Sequence, residues 1–249
     1  MACCSSPSKK MHTHSLTDLV GIFKEELMHH LPIATMSVAM AIMILSLINV
    51  FFENGVVACT LSEVQHFATA LHMHAHDASC SGMDVLFHSF HFIHILFATT
   101  GTMITFYRYS SRRFLGLVIG AISALVFCTL SDILLPYAAG SLLGVQMDLH
   151  ICFSSELANV LPFLCVGLLN GLVMSKSVKF ITEENSLFLH FWHTFISALA
   201  SIFYAIGHGL PNYYDHFGLF FILMVIAVVL PCTLSDVVAP ILFARMIQK

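Results

Sequence analysis

The chain has 249 residues, 58% of them hydrophobic and only 10% charged, with a formal net charge of −4. So little charge excludes an ordinary soluble domain. A small negative balance gives no basis for a nucleic-acid partner.

In chain order, residues 1–30 read as a polar tail followed by an interfacial helix. Cys3, Cys4, Met11, His12 and His14 could sequester a thiophilic ion, or the cysteines could be acylated. Leu16, Leu19, Ile22, Phe23 and Leu27 make an amphipathic stripe leading to Glu26. No basic region runs straight into a short apolar core with a cleavage site, so no signal peptide is expected. Six apolar runs follow, at about 31–52, 85–107, 114–138, 157–175, 186–206 and 216–244. Each approaches the roughly 20 residues that a helix needs to cross a bilayer.

The connection 53–84 carries His66, His72, His74, His76, Asp77 and Cys80. A short His-rich tract reads as a metal-capturing segment, or alternatively as a polar loop whose charge follows pH. Cys59 and Cys80 could pair there in an oxidising compartment. All 10 Lys and Arg fall in the two tails, between spans two and three, or between spans four and five. With six spans, every basic residue lies on one side, which predicts cytoplasmic termini.

Two motifs occur twice in the same order. His91-Phe-Ile-His94 precedes Cys128-Thr-Leu-Ser-Asp132, and His190-Phe-Trp-His193 precedes Cys232-Thr-Leu-Ser-Asp236. Each Asp is followed four residues later by Pro136 or Pro240. Glu26 and Glu156 each open a Glu-Leu-x-x-x-Leu-Pro segment. The reading is a duplication, with a first repeat over 31–140 and a second over 141–249. Three spans per repeat invert the second against the first, so the expected fold is an all-α integral membrane protein of two inverted three-helix repeats. Duplication for packing alone would not require charged and imidazole groups at depth.

Histidines three apart share a helix face, so each pair can aim at one point. Counting along the spans puts His91, His94, Asp132 and Glu156 toward one leaflet, and His190, His193, Asp236 and Glu26 toward the other. The two sets can form separate sites or converge. Imidazoles with carboxylates suit zinc, manganese, iron, cobalt or nickel, and a thiolate from Cys128 or Cys232 would favour softer ions. His88 extends the first pair as an accessory entry ligand. Thr129, Ser131, Thr233 and Ser235 are expected to bond backbone carbonyls. Pro136 and Pro240, with Pro231, point to kinked or broken helices whose freed carbonyls could bind a cation.

The expected function is a permease for a divalent transition-metal cation, coupled to protons and working by alternating access. Asp132 and Asp236 would be the anionic ligands and proton carriers, the His pairs would set selectivity, and Glu26 and Glu156 would gate. The metal is the substrate, no cofactor is required, and the chain is not expected to be an enzyme. The expected partners are the lipid bilayer, the ion and protons, and a homo-oligomer is compatible with the pattern. The alternatives are a membrane haem or di-metal redox enzyme and, more weakly, a membrane zinc hydrolase.

Overall fold

Backbone in hydrocarbon must satisfy its N–H and C=O groups within the segment, which leaves helices and closed barrels as the spanning forms. In a computed structural model the described residues, 16–53, 77–176, 183–210 and 213–247, are helical and contain no strand. Six helices are long and apolar enough to cross a membrane, Phe23–Val50, Gly82–Tyr109, Arg113–Leu142, Leu157–Met174, Phe188–Gly207 and Tyr213–Ile247. These match the six runs read from sequence. His66, His72, His74, His76, Cys59 and the N-terminal Cys3, Cys4, His12 and His14 lie outside the described residues, and with them the calls made on those positions.

Helix α1 spans Leu16–Glu53, so one helix carries both the amphipathic segment and the first span, running through Pro32. Helix α2 is Asp77–Tyr109, taking in residues read as the end of the long connection. Helix α3, Arg113–Thr129, passes through a π turn at Leu130–Leu134 into α4, Leu135–Leu142. A single turn, α5 (Cys152–Ser155), precedes α6, Leu157–Met174. Helix α7 is Glu183–Gly207. Helix α8, Phe217–Thr233, continues through a second π turn, Leu234–Val238, into α9, Ala239–Ile247.

The two π turns have a local cause. Pro136 and Pro240 have no N–H, and each ring would collide with the carbonyl four residues back, on Asp132 or Asp236. Widening the turn so that Leu135 N–H reaches Leu130 O, and Ala239 N–H reaches Leu234 O, displaces that carbonyl without ending the helix. The expected break in span six is therefore absent. α8 runs through Pro231, and the helix widens at the aspartate instead.

The spans carrying the His pairs are the least apolar of the six and also the most buried. Helix α2 packs against α7, α6 and α3, while α1 lies along α7 and α8. Sorting follows from polarity. Thr99, Thr100, Thr102, Thr194, Ser197 and Ser201 on α2 and α7 are all buried, and their hydroxyls bond carbonyls or carboxylates. On the outside, Met43, Leu47, Ile122, Val126, Leu169 and Val173 are exposed, as a lipid-facing surface requires. One end of the bundle collects basic residues. Arg113 and Lys176 line the same cleft there, and Ala244 beside Phe106 brings the end of α9 to that end.

Helices α2 and α6 approach closely at Gly167, where an added Cβ would stand 2.8 Å from the Leu96 carbonyl oxygen and 3.0 Å from Thr99 Cβ. Only a glycine permits this contact, the small-residue packing common between membrane helices. Gly167→Ala is expected to destabilise the bundle by about 1–3 kcal/mol, the usual cost of overpacking. Gly218→Ala, with nothing within 4 Å of the added atom, should leave the unfolding midpoint in detergent unchanged.

Candidate metal centre

Two helix faces meet at the middle of the bundle. On α2, His91 and His94 both turn Nδ1 toward Asp132 Oδ2, at 2.8 and 2.7 Å. On α7, His190 and His193 turn Nδ1 toward Asp236 Oδ2, at 3.0 and 2.5 Å. All six side chains are buried. A carboxylate oxygen only accepts, so each imidazole N–H donates to it, which leaves Nε2 aimed away from the aspartate. The Nε2 atoms of His94 and His193 then face each other at 2.7 Å, with the rings 4.6 Å apart.

With both carboxylates ionised and all four Nδ1 atoms donating, two lone pairs would meet in that gap, so a cation or proton belongs between them. Cys232 Sγ lies 4.0 Å from His94 Nε2. His94, His193 and Cys232 offer ligand atoms within 4.8 Å of one another, and so do His190, His193 and Asp236. The two donor sets share His193. The two sets read from sequence meet through His94 and His193, while their glutamates stand apart.

The aspartates differ in their second oxygen. Asp132 Oδ1 accepts from Ser131 Oγ at 2.7 Å and from Ser197 Oγ at 3.0 Å. Asp236 Oδ1 is buried with no hydrogen-bond partner among the described residues. The position matching Ser197 in the first motif set is Ala98, which has no hydroxyl to offer. Gly101 lies against the same carboxylate, where a Cβ would stand 3.0 Å from Oδ1. The hydroxyls read from sequence as carbonyl-bound divide. Thr129 bonds Leu125 O at 2.7 Å as expected. Ser131 reaches a carboxylate as well as a carbonyl, Ser235 pairs with the hydroxyl of Thr102, and Thr233 has no partner among the described residues.

The two glutamates stand away from the centre, one toward each end. Glu156 Oε1 is 3.3 Å from Nε2 of His88, which lies one turn before His91 on α2. Glu26 Oε2 is 3.3 Å from His30 Nε2, and the His30 ring lies 3.8 Å from that of His190. Ionisable groups therefore run from Glu156 through His88, the central six and His30 to Glu26. Sequence reasoning missed His30, although Glu26 and His30 have the i, i+4 spacing of one helix face. It also missed Ser197, at the same spacing from His193.

Asp84, His150, Cys152 and His208 were missed too, and they gather around His88 and Glu156. Burial pushes the Cys152 thiol up to about 12, with Glu156 adding to the effect, and burial lowers His208 below the usual imidazole value.

Comparison with known proteins gives no counterpart: no family model, curated protein or solved structure matches this chain. What the site can do must be argued from its own chemistry. An aspartate holding imidazole Nδ1 while Nε2 faces a thiol is the arrangement that orients histidine as a metal ligand.

Removing either carboxylate strands buried donors, and the two removals should differ. Asp132→Ala leaves two imidazoles and two serines without their acceptor and is expected to cost about 3–5 kcal/mol. Asp236→Ala strands two imidazoles only and should cost measurably less. Thermal unfolding of the two variants in detergent gives the comparison; equal losses would contradict the hydrogen-bond pattern.

Proposed function

We propose that the chain is a multi-pass membrane permease for a divalent transition-metal cation, zinc first among zinc, manganese, iron, cobalt and nickel. The observation that carries this reading is the pair of imidazole Nε2 atoms, His94 and His193, facing each other at 2.7 Å beside Cys232 in the bundle interior. Zinc bonded to both, at about 2.0–2.1 Å each, requires the nitrogens to part by only ~0.6 Å. With Cys232 the donors become two nitrogens and one sulfur, a set that favours zinc over manganese.

In this reading the roles of the aspartates shift from those the sequence suggested. Asp132 and Asp236 hold four imidazoles in the ligating tautomer, and the metal meets His94, His193 and Cys232 first. His193 then passes the ion to the second donor set, in which Asp236 joins His190. The unpaired Oδ1 of Asp236 is free to accept it, whereas both oxygens of Asp132 are occupied. Thiols and imidazolium must shed protons to bind metal, so metal movement is coupled to proton movement in the opposite sense.

The two motif sets act as inverted repeats that open the centre alternately to the Glu156 end and the Glu26 end. Matching hydrogen bonds support this relation. Thr102 donates to Ser235 O at 2.9 Å, and Ser201, its counterpart on α7, donates to Ser131 O at 3.0 Å. The basic end, with Arg113 and Lys176, is the cytoplasmic one under the positive-inside rule, which puts both termini inside.

A haem or di-metal redox enzyme is the competing reading. Nitrogens already 2.7 Å apart leave room for an ion and not for a porphyrin plate between them, so the geometry favours the ion.

Zinc flux into liposomes containing the purified chain tests the proposal. Transport is expected with wild type and should fall about tenfold or more in His94→Gln and in the Asp132→Asn, Asp236→Asn double variant. Undiminished flux in a folded double variant would falsify the mechanism. A Soret band in the protein as purified would instead favour the haem reading.

A further inference from the structure

At the end of the bundle opposite Arg113 and Lys176, an open cleft of about 580 Å³ is lined by Asp84, His88, Phe92, Glu156, Asn159 and Phe163. His88, from α2, and Glu156, at the N-cap position of α6, supply part of its polar wall, and His150 and Cys152, from the connection between α4 and α6, approach His88 beside it. Ligand atoms of His88, His150 and Cys152 all lie within 4.8 Å of one another. Glu156 Oε1 is 3.3 Å from His88 Nε2 and 4.0 Å from His150 Nε2.

The tautomers are set for coordination. His88 Nδ1 donates to the Asp84 carbonyl oxygen at 2.8 Å, so in the neutral ring Nε2 carries the lone pair. That Nε2 is buried, makes no hydrogen bond, and faces a carboxylate oxygen. A lone pair aimed at an anion is unfavourable unless a proton or a metal cation lies between them. His208 repeats the pattern, with Nδ1 donating to Tyr204 O at 3.1 Å and Nε2 3.8 Å from Asp84 Oδ1.

The segment bearing His150 is held in place rather than loosely draped. Asp148 N–H donates to His208 O at 2.9 Å, His150 N–H donates to the Tyr204 hydroxyl at 3.3 Å, and that hydroxyl donates to Asp148 O at 3.0 Å. Gly209, at φ +143°, lets the two strands of chain meet, since a Cβ there would stand 2.6 Å from Gln146 O. A preorganised ligand shell of this kind is what a metal site needs and a plain connection does not.

We propose that His88, His150, Cys152 and Glu156 form a second transition-metal site, a vestibule that holds a zinc-like cation before it reaches the buried centre. Two nitrogens, one sulfur and one carboxylate oxygen suit a four-coordinate borderline ion. His88, His91 and His94 then follow one face of α2 inward at three-residue steps, giving the ion a continuous set of imidazoles toward the gap facing His193. Binding at the vestibule stands apart from transport. Only its role as a loading station rests on the permease reading.

Cobalt(II) titration of the whole chain in detergent tests the site, because thiolate-to-cobalt absorption reports sulfur ligation independently of any flux. Cys152→Ser and His150→Ala are each expected to lose one equivalent of bound cobalt relative to wild type, and Cys152→Ser should also lose part of the thiolate absorption. Tyr204→Phe, which releases the segment without touching a ligand, should weaken that equivalent by about 10-fold or more. In a His94→Gln, Cys232→Ser variant the Cys152-dependent absorption should persist, since it belongs to the vestibule. Unchanged equivalents and absorption in both Cys152→Ser and His150→Ala overturn the vestibule site and leave the buried centre standing. Absorption wholly dependent on Cys152 sustains the vestibule and counts against thiol ligation at the centre.

Discussion

Two carboxylates sit in the interior of a bundle whose outer surface is hydrocarbon, and each is held by two imidazole N–H groups from a single helix. Isolated charge at that depth costs several kcal/mol even after relaxation, and much of the architecture can be traced to meeting that cost. The two helices that supply the imidazoles must be central, so the least apolar spans are the most enclosed. The helices bearing the aspartates must continue past them to cross the bilayer, although a proline follows each one. A π turn reconciles the two demands, because it moves the conflicting carbonyl aside and keeps the chain helical. Gly101 completes the accommodation by leaving space for the Asp236 carboxylate where any side chain would crowd it.

The matched motifs do not produce matched environments. A serine on α7 completes the hydrogen bonding of Asp132, and the corresponding alanine on α2 leaves one oxygen of Asp236 unanswered. Buried acceptors without a donor cost about 1–3 kcal/mol and are uncommon enough to call for a reason. A site able to hand an ion across from one half to the other supplies one. If both carboxylates were fully satisfied, neither would gain by taking the metal; if both were bare, the ion would rest equally on either side. In the proposed permease, one occupied and one vacant oxygen would give the path a direction of preference at its midpoint.

Much of this was legible in the sequence because it was written twice. Six spans, the paired histidines and the aspartates could be read from hydropathy, i, i+3 spacing and motif repetition alone. The depth of the groups was harder. Counting residues along each span put His94 and His193 toward different leaflets, whereas their rings are 4.6 Å apart. A position along a span does not fix height in a bundle when the helices start at different levels, and α2 begins at Asp77, well before the apolar run that marked it. The helix-breaking reading of the prolines failed for a related reason. Proline removes one hydrogen bond, and a chain surrounded by apolar neighbours recovers more by widening one turn than by ending the helix. Of the residues absent from the motifs, His150 and His208 were invisible because their partners His88 and Asp84 are remote in sequence, whereas His30 lies one turn from Glu26. His150 and His208 are drawn to His88 only by the folded connection that Tyr204 secures.

Carboxylate and imidazole alone would leave manganese, iron and zinc nearly equivalent as candidates. In the folded chain one oxygen of each aspartate orients histidines, and the atoms facing the gap between His94 and His193 are two nitrogens and the sulfur of Cys232. Moving the oxygen donors back by one shell makes the cavity softer without changing its composition. The selectivity of such a site is then decided less by which residues the motif contains than by which of them the motif uses to hold the others.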